Sequence, residues 1–441
     1  MFSNNVRKIV LFCCAFAVCS CSVFSDSKEL PSGTRISILD SKKTSETAQG
    51  INVSQIPAVV TYNAWTQSGG NSNHFMGNIS GSNDMKKSWT ANFGKGSNKR
   101  DLLLAQPIIV NGLIYTQDID ATVSAFDINT GKKIFKKKIK PENTNVFDNG
   151  LNGVGLATDG DKVYAVTGYG SVLALDAKSG DELWHINTNS LIRISPNICS
   201  DKLIIQTLDN KLIVLNTVDG SEMFRYNTSA EDTVLAGGAT PACSTENNII
   251  IAGFSNGQIE AFNADIGYPL WNAPLLNVQR GNSTTNINAI KASPVIDNDV
   301  VYAIGNNDMM LALDYRTGET IWAQEIGSVN TPWVAGNYIY IISNAGELIC
   351  LDKNTGDIIF TSKLLAEYSI DERTDIYLSG PVMVNGKLII SASNGMIYVV
   401  SPYDGSIENK IDTGNELPYA PISAQDAVVF VNSDAEITVY K

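Results

Sequence analysis

The apolar positions of this chain fall into one recurring figure. Leu311 to Trp322 (LALDYRTGETIW) alternates apolar and polar side chains, turns over a polar stretch ending in Gly318, and reopens as a second apolar run. The figure returns at Leu173–Trp184 (LALDAKSGDELW), Leu348–Phe360 (LICLDKNTGDIIF) and Val123–Phe135 (VSAFDINTGKKIF). Looser copies stand at Leu212–Phe224, Ile259–Trp271 and Ile397–Asn409. Aligned, the turn glycines are Gly131, Gly180, Gly220, Gly267, Gly318, Gly356 and Gly405, spaced about 46 residues apart on average. A two-residue period on both sides of the turn predicts strands, and the repeat length lies in the range of propeller units.

Two further positions repeat with the glycine. Four residues before it stand Asp127, Asp176, Asn216, Asn263, Asp314, Asp352 and Ser401. Each is a short side chain whose oxygen can accept from backbone N–H groups one or two residues on and so pin the turn. Four residues after it come Phe135, Trp184, Phe224, Trp271, Trp322 and Phe360, with Asn409 as the one lapse. An aromatic at a fixed place in every unit is expected to fill the seam between neighbouring units. Seven equivalent carboxylate, amide or hydroxyl positions therefore serve turns, and none is expected to act as a catalytic acid or metal ligand.

Each unit reads as four strands, the first as AQPIIV, LIYTQ, TVSAFD and KKIFKKKI, the later ones opening at Gly155, Pro196, Pro241, Pro294, Pro332 and Pro381. The final stretch, Pro421 to Lys441, supplies only three. A strand without a unit, Lys86–Phe93 (KKSWTANF), precedes the first copy, with Trp89 in place of the repeat aromatic. Joining the two completes an eighth unit and removes an unpaired edge. The expectation is an all-β, eight-bladed β-propeller of four-stranded antiparallel blades, closed by the N-terminal strand and occupying residues 61–441. The connections 141–153, 227–240, 273–293 and 363–379 join an outermost strand to the next innermost one, so they emerge on one face, where binding is expected.

Composition alters this picture little. The chain is 44% hydrophobic and only 17% charged, with 35 glycines, as suits a turn-rich β protein. Its formal charge of −13 argues against a nucleic-acid partner. The start of the chain is different in kind. Arg7 and Lys8 precede an apolar run from Ile9 to Val18, too short for a lasting membrane span. The following Val18-Cys19-Ser20-Cys21 resembles a bacterial lipobox. Residues 1–20 are thus expected to be a lipoprotein signal peptide, with lipid on Cys21, and residues 21–60, rich in Ser, Lys, Thr and Glu, a flexible tether. Ser22 is not an aspartate, which by the sorting rule favours the outer membrane.

Three cysteines remain in the body, Cys199, Cys243 and Cys350, each in or beside an apolar run. Buried free thiols are the default reading, and a Cys199–Cys243 bridge is the other one that fits. With two histidines and no C-x-x-C, no metal site is expected. No G-x-S-x-G, Walker loop or H-E-x-x-H is present.

The repeat resembles that of quinoprotein alcohol and glucose dehydrogenases, which bind pyrroloquinoline quinone on the propeller axis beside a tryptophan and, often, a vicinal Cys-Cys disulfide, with a calcium held by Glu, Asn and Asp. Here the one Cys-Cys pair is Cys13-Cys14, within the signal. The whole chain after the signal resembles the BamB family, the propeller lipoproteins of the outer-membrane β-barrel assembly machinery. That resemblance is sharpest at Leu311–Asn330 and Gly380–Gly405. It implies a scaffold without enzymatic activity or cofactor, monomeric within its complex, at the periplasmic face of the outer membrane of a Gram-negative bacterium. It implies binding to the POTRA domains of BamA, beside the other assembly subunits. The implied contacts fall on two successive connections. In Glu231–Thr240 they are Thr233, Leu235 and Gly237, with Ala236 where the family has Arg; in Asn282–Ser293 they are Ala289 and Lys291, where the family has acids. A quinone-dependent oxidoreductase, or a propeller binding a cell-wall or other periplasmic ligand, is the alternative.

Overall fold

The computed structural model describes residues 53–99, 101–139, 153–229, 238–275 and 289–441. Among them are eight four-stranded antiparallel sheets, the blades of a propeller. Blade 1 runs outward through Ile108–Val110, Leu113–Gln117, Thr122–Asp127 and Lys133–Lys138. The innermost and outermost strands are Gly153–Thr158 and Glu182–Asn187 in blade 2, Asn197–Cys199 and Glu222–Asn227 in blade 3, and Ala242–Ser244 and Pro269–Pro274 in blade 4. They are Val295–Asp297 and Thr320–Gln324 in blade 5, Trp333–Ala335 and Ile358–Ser362 in blade 6, and Leu378–Val384 and Ile407–Asp412 in blade 7. Blade 8 takes Ile422–Ala424, Ala427–Val431 and Glu436–Tyr440 from the end of the chain, and Lys87–Asn92 as its outermost strand. The closure expected from the incomplete last repeat is therefore the observed one, with Trp89 opposite Val439 and Thr90 opposite Thr438. The middle strands are buried over most of their length, as blade-on-blade packing demands, while the outermost ones are half exposed.

The repeated turn works as a socket. The side chain four residues before each glycine accepts from the backbone N–H two residues on, and Asp127, Asp176, Asn263, Asp314 and Asp352 accept from the next one as well, one step further than expected. Asp314 Oδ1 takes Arg316 N at 3.0 Å and Thr317 N at 2.8 Å, and Ser401 takes Tyr403 N at 3.3 Å. These bonds hold the Asp127, Asp176 and Asp314 carboxyls below the ordinary range. The glycine then receives the aromatic of the preceding blade. A Cβ on Gly318, which has φ +73°, would lie 2.6 Å from the Trp271 ring, so no other residue fits. The same pairing links Trp89 to Gly131, Phe135 to Gly180, Trp184 to Gly220, Phe224 to Gly267, Trp322 to Gly356 and Phe360 to Gly405. Where the aromatic is Trp, its Nε1 donates to a carbonyl in the socket, as Trp271 does to Tyr315 O at 3.0 Å and Trp322 to Lys353 O at 3.0 Å. Where it is Phe, a tyrosine can take that carbonyl instead, as Tyr115 and Tyr340 do for Ala177 O and Pro402 O. The lapse at Asn409 falls in blade 7, whose follower is the split blade, where no turn joins Glu436–Tyr440 to its neighbour Lys87–Asn92. That blade has no glycine socket to fill, so no aromatic is needed.

In every blade the ladder between the third and fourth strands slips by one residue just before the aromatic position. The extra residue is Ile134, Leu183, Met223, Leu270 or Ile321 in blades 1 to 5, each left exposed. A bulge of this kind twists the outer edge away from flat pairing with other chains.

The axis is filled by a segment that periodicity did not reveal. Residues 62–80 pass the innermost strands in ring order, touching all eight. Trp65 pairs with Ile109 of blade 1 through two 2.8 Å bonds, and Thr66 O accepts from Thr158 N of blade 2. Gln67 Oε1 accepts from Ile198 N of blade 3 at 2.6 Å, and Ser72 O from Cys243 N of blade 4 at 2.7 Å. Asn73 O meets Ile296 N of blade 5, Gly77 O meets Trp333 Nε1 of blade 6, and Ile79 N donates to Met383 O of blade 7. Ser80 O accepts from Ser423 Oγ of blade 8, and Tyr62 O from Gln425 N of the same blade. The circuit turns sharply at Gly69 and Gly70, both at positive φ, against whose backbone His74 and Met76 pack too closely for any Cβ. The tether expected over 21–60 lies outside the described residues up to 52. Its last part is docked: Val53 is buried, Ser54 N donates to Tyr338 Oη, and Pro57 lies against Gly336.

Cys199 and Cys243 form a disulfide between the innermost strands of blades 3 and 4, with Cα atoms 6.0 Å apart, and Cys350 is a buried free thiol. Of the two readings left open by the sequence, the bridge is the one the structure takes.

Candidate partner-binding face

Strand direction fixes what each face carries. The first-to-second and third-to-fourth turns share one face with the 62–80 circuit. The second-to-third turns and the long connections between blades share the other. On that face the connection into blade 4 and the connection into blade 5 converge. Gly238 and Ala239 from the first, and Ala289, Ile290 and Lys291 from the second, line one small pocket over the seam of blades 3 and 4. Its floor is Gln206, Asn210 and Gly253. Its volume of about 30 Å³ holds a water or two, not a cofactor.

The bases of these connections are tied to the scaffold and to each other. Thr240 N donates to Ser293 Oγ at 3.0 Å, and Ser293 N donates to Thr331 Oγ1 of the connection into blade 6 at 3.1 Å. Ile290 N reaches Phe254 O, and Gln206 Nε2 crosses from blade 3 to Gly253 O at 2.7 Å. Below them the Cys199–Cys243 bridge joins the same two blades. Of the contact residues implied by resemblance, Ala289 is buried in the pocket wall and Lys291 is half-buried beside it. Burial alone pushes the Lys291 ammonium below its ordinary pKa, since no carboxylate offsets it. Thr233, Leu235 and Gly237, like Cys21, lie outside the described residues.

Among the described residues no three metal-ligating side chains cluster. The strongly perturbed groups are structural. His74 is fully buried in the axial segment with Nδ1 2.8 Å from Pro294 O, and burial lowers its pKa to about 4. Glu260 is raised by burial and accepts from Tyr226 Oη at 2.9 Å, and burial raises the Cys350 thiol.

A family profile described as outer membrane protein assembly factor BamB matches residues 119–362, more than half of the chain. The chain belongs to the BamB family. Relatives with that description include proteins of Moranella endobia, 26% identical over 360 residues (80% of this chain, 89% of theirs), and Yersinia pestis, 27% identical over 349 residues (78% and 85%). An uncharacterized protein of Rickettsia conorii is 27% identical over 241 residues, 54% of this chain and 57% of its own. Among solved structures, BamB from Moraxella catarrhalis superposes with a TM-score of 0.68 at 18% identity, over 81% of this chain and 99% of that one. A quinohemoprotein alcohol dehydrogenase from Comamonas testosteroni gives 0.65 at 14% identity, over 86% and 80%. These two share the fold with the BamB-family chain.

The dehydrogenase likeness raises the question of a quinone. The residues here do not fit one at the end of the axis that carries the circuit. Trp65, Gln67, His74, Met76, Asn78 and Ile79 fill it and are each buried. The bridged cysteines are 44 residues apart in sequence, not vicinal.

Proposed function

We propose that this chain is a non-enzymatic scaffold of outer-membrane barrel assembly. It is held at the periplasmic face by lipid on Cys21 and grips the POTRA domains of BamA through the connections into blades 4 and 5. The signal and tether at 1–20 and 21–60 belong to the same reading. The observation that carries it is the convergence of those two connections over one cross-linked seam, with their bases hydrogen-bonded to each other. Loops borne on a rigid base lose less freedom on binding, which favours a specific partner. An edge strand of a small domain can add to such a loop through main-chain bonds, so the absence of the family's Arg and acids at Ala236, Ala289 and Lys291 does not remove the means of attachment.

The test is capture of the full chain by a purified POTRA array. Leu235→Asp combined with Asn288→Lys, which sets a base beside the positions where the family has acids, should weaken capture at least tenfold, about 1.4 kcal/mol, while the melting curve stays within a few degrees of the parent. Equal capture by parent and double variant would move the interface off these connections.

A further inference from the structure

The closing seam carries a charge pattern that neither turn-building nor the blade 3–5 face uses. The outermost strand of blade 1 and the residue before it hold Lys132, Lys133, Lys136, Lys137 and Lys138, with no acid between Asn129 and Ile139. The outermost strand of blade 8 lies beside it. Trp89 of that strand sits on Gly131, and Lys133 Nζ reaches Asn92 O at 3.5 Å. It adds Lys86 and Lys87, and the exposed Lys441 reaches the Asn129 side chain of blade 1. The ion pairs among the described residues involve none of these eight lysines. Exposed Ile134 stands among them, and Leu102, on the connection from blade 8 to blade 1, is also exposed.

Lysines on an outer strand protect it from pairing with other chains. That accounts for one or two. The outermost strands of the other blades manage with fewer: ELWHIN, EMFRYN, PLWNAP, TIWAQ, IIFTS and IENKID. Each outer edge is also bulged, so blade 1 needs no extra guard. The formal charge of −13 does not cancel the patch locally, because charges beyond about 8 Å are screened at physiological salt.

We propose that the rim of blades 8 and 1 is a contact surface for anionic phospholipid membrane, with the lysines against the headgroups and Ile134 and Leu102 at the interface. A lipid surface fits better than an acidic protein. The ammonium groups ride on flexible stems along an open edge, with no pocket or paired acceptor to define a single partner. Diffuse charge beside isolated aliphatics is what a headgroup layer meets. The rim lies about three blades around the ring from the blade 3–4 pocket, so both surfaces can be occupied at once.

The test is co-sedimentation of the full chain with vesicles of phosphatidylcholine alone and of phosphatidylcholine with one third phosphatidylglycerol. Any lipid anchor contributes equally to both, so the ratio of the two affinities reports headgroup charge. At ~20 mM salt the ratio should exceed about tenfold and should fall toward one at ~500 mM. The triple variant Lys136→Glu, Lys137→Glu, Lys138→Glu should bring it to one or below. Arg225→Glu, Arg316→Glu, Lys363→Glu, which changes net charge equally on exposed sites elsewhere, should leave it above about fivefold. A ratio near one in the unaltered protein at low salt would overturn the proposal, as would equal loss in both triple variants. The salt series on the unaltered protein tests the attraction to anionic lipid even if a variant fails to fold, and the milder Lys136→Gln, Lys137→Gln, Lys138→Gln then tests its place on the rim.

Discussion

His74 offers a direct measure of how much the axial segment contributes to the ring. It is fully buried at φ +61°, with Nδ1 donating to Pro294 O at 2.8 Å and Nε2 3.5 Å from the Asn197 amide. No charged side chain bonds to it, so the ring is held neutral and its pKa falls from 6.5 to about 4. The unfolded chain therefore binds a proton that the folded one refuses between those values. Stability is complete above pH 6.5 and declines as pH falls toward 4. At pH 5 the loss from this one group is about 2 kcal/mol, with a limit of about 3.4 kcal/mol at lower pH. The perturbation is His74→Asn, whose amide nitrogen can take the place of Nδ1 and which tolerates positive φ. Denaturant unfolding of both proteins at pH 8 and pH 5 should show the parent losing about 2 kcal/mol more than the variant. The aspartates of the turn sockets titrate equally in both and drop out of the difference. Parallel losses would mean that His74 is reached by water, and that the segment does not seal the axis.

Two other outcomes follow from the seams. Removing the Cys199–Cys243 bridge by Cys199→Ser with Cys243→Ser should lower stability by up to about 4 kcal/mol, from the 44-residue closure it enforces, as read by the denaturant midpoint; an unshifted midpoint would mean that the bridge does not form. Gly318→Ala places a methyl against the Trp271 ring at φ +73° and should destabilise by about 2 kcal/mol or more, with a change in tryptophan fluorescence, whereas Gly112→Ala, with open space around its Cβ, should lose only about 1 kcal/mol through its φ of +77°. Equal losses at the two glycines would refute the socket.

The parts of the fold that a reader of the sequence can see are those repeated often enough to average out local noise. The glycine and the short polar side chain four before it recur at seven places and the aromatic four after it at six, and each has a single geometric cause. Closure by Lys86–Phe93 was legible because three strands at one end and one at the other can satisfy their edges only together. What occurs once was not legible. Residues 62–80 engage the blades mainly through backbone carbonyls and amides, so their side chains carry no period; only an unusual mixture of Trp65, Gly69, Gly70 and His74 marks them. The outer bulge escaped because it displaces one residue, leaving the apolar pattern intact. Of the proposed partner residues, Ala289 and Lys291 come together with the preceding connection because both connections rise from adjacent seams, a neighbourhood that the ring of blades creates.

The ring is locked in two ways, and they differ in what they resist. The Lys87–Asn92 strand joins the two ends of the chain at one seam, so fraying there would open the ring if nothing else held it. The 62–80 circuit is bonded to every innermost strand, so opening any one seam strains contacts at its neighbours as well. A scaffold whose two connections must keep a fixed separation over the blade 3–4 seam benefits from the second device more than the first, because the closing seam is far from those connections. The same separation leaves the closing seam's outer edge unused by the partner face. There the lysines of blades 8 and 1 accumulate outside the ion pairs of the described residues, and an edge that lies away from those connections is free to be shaped by what it meets outside.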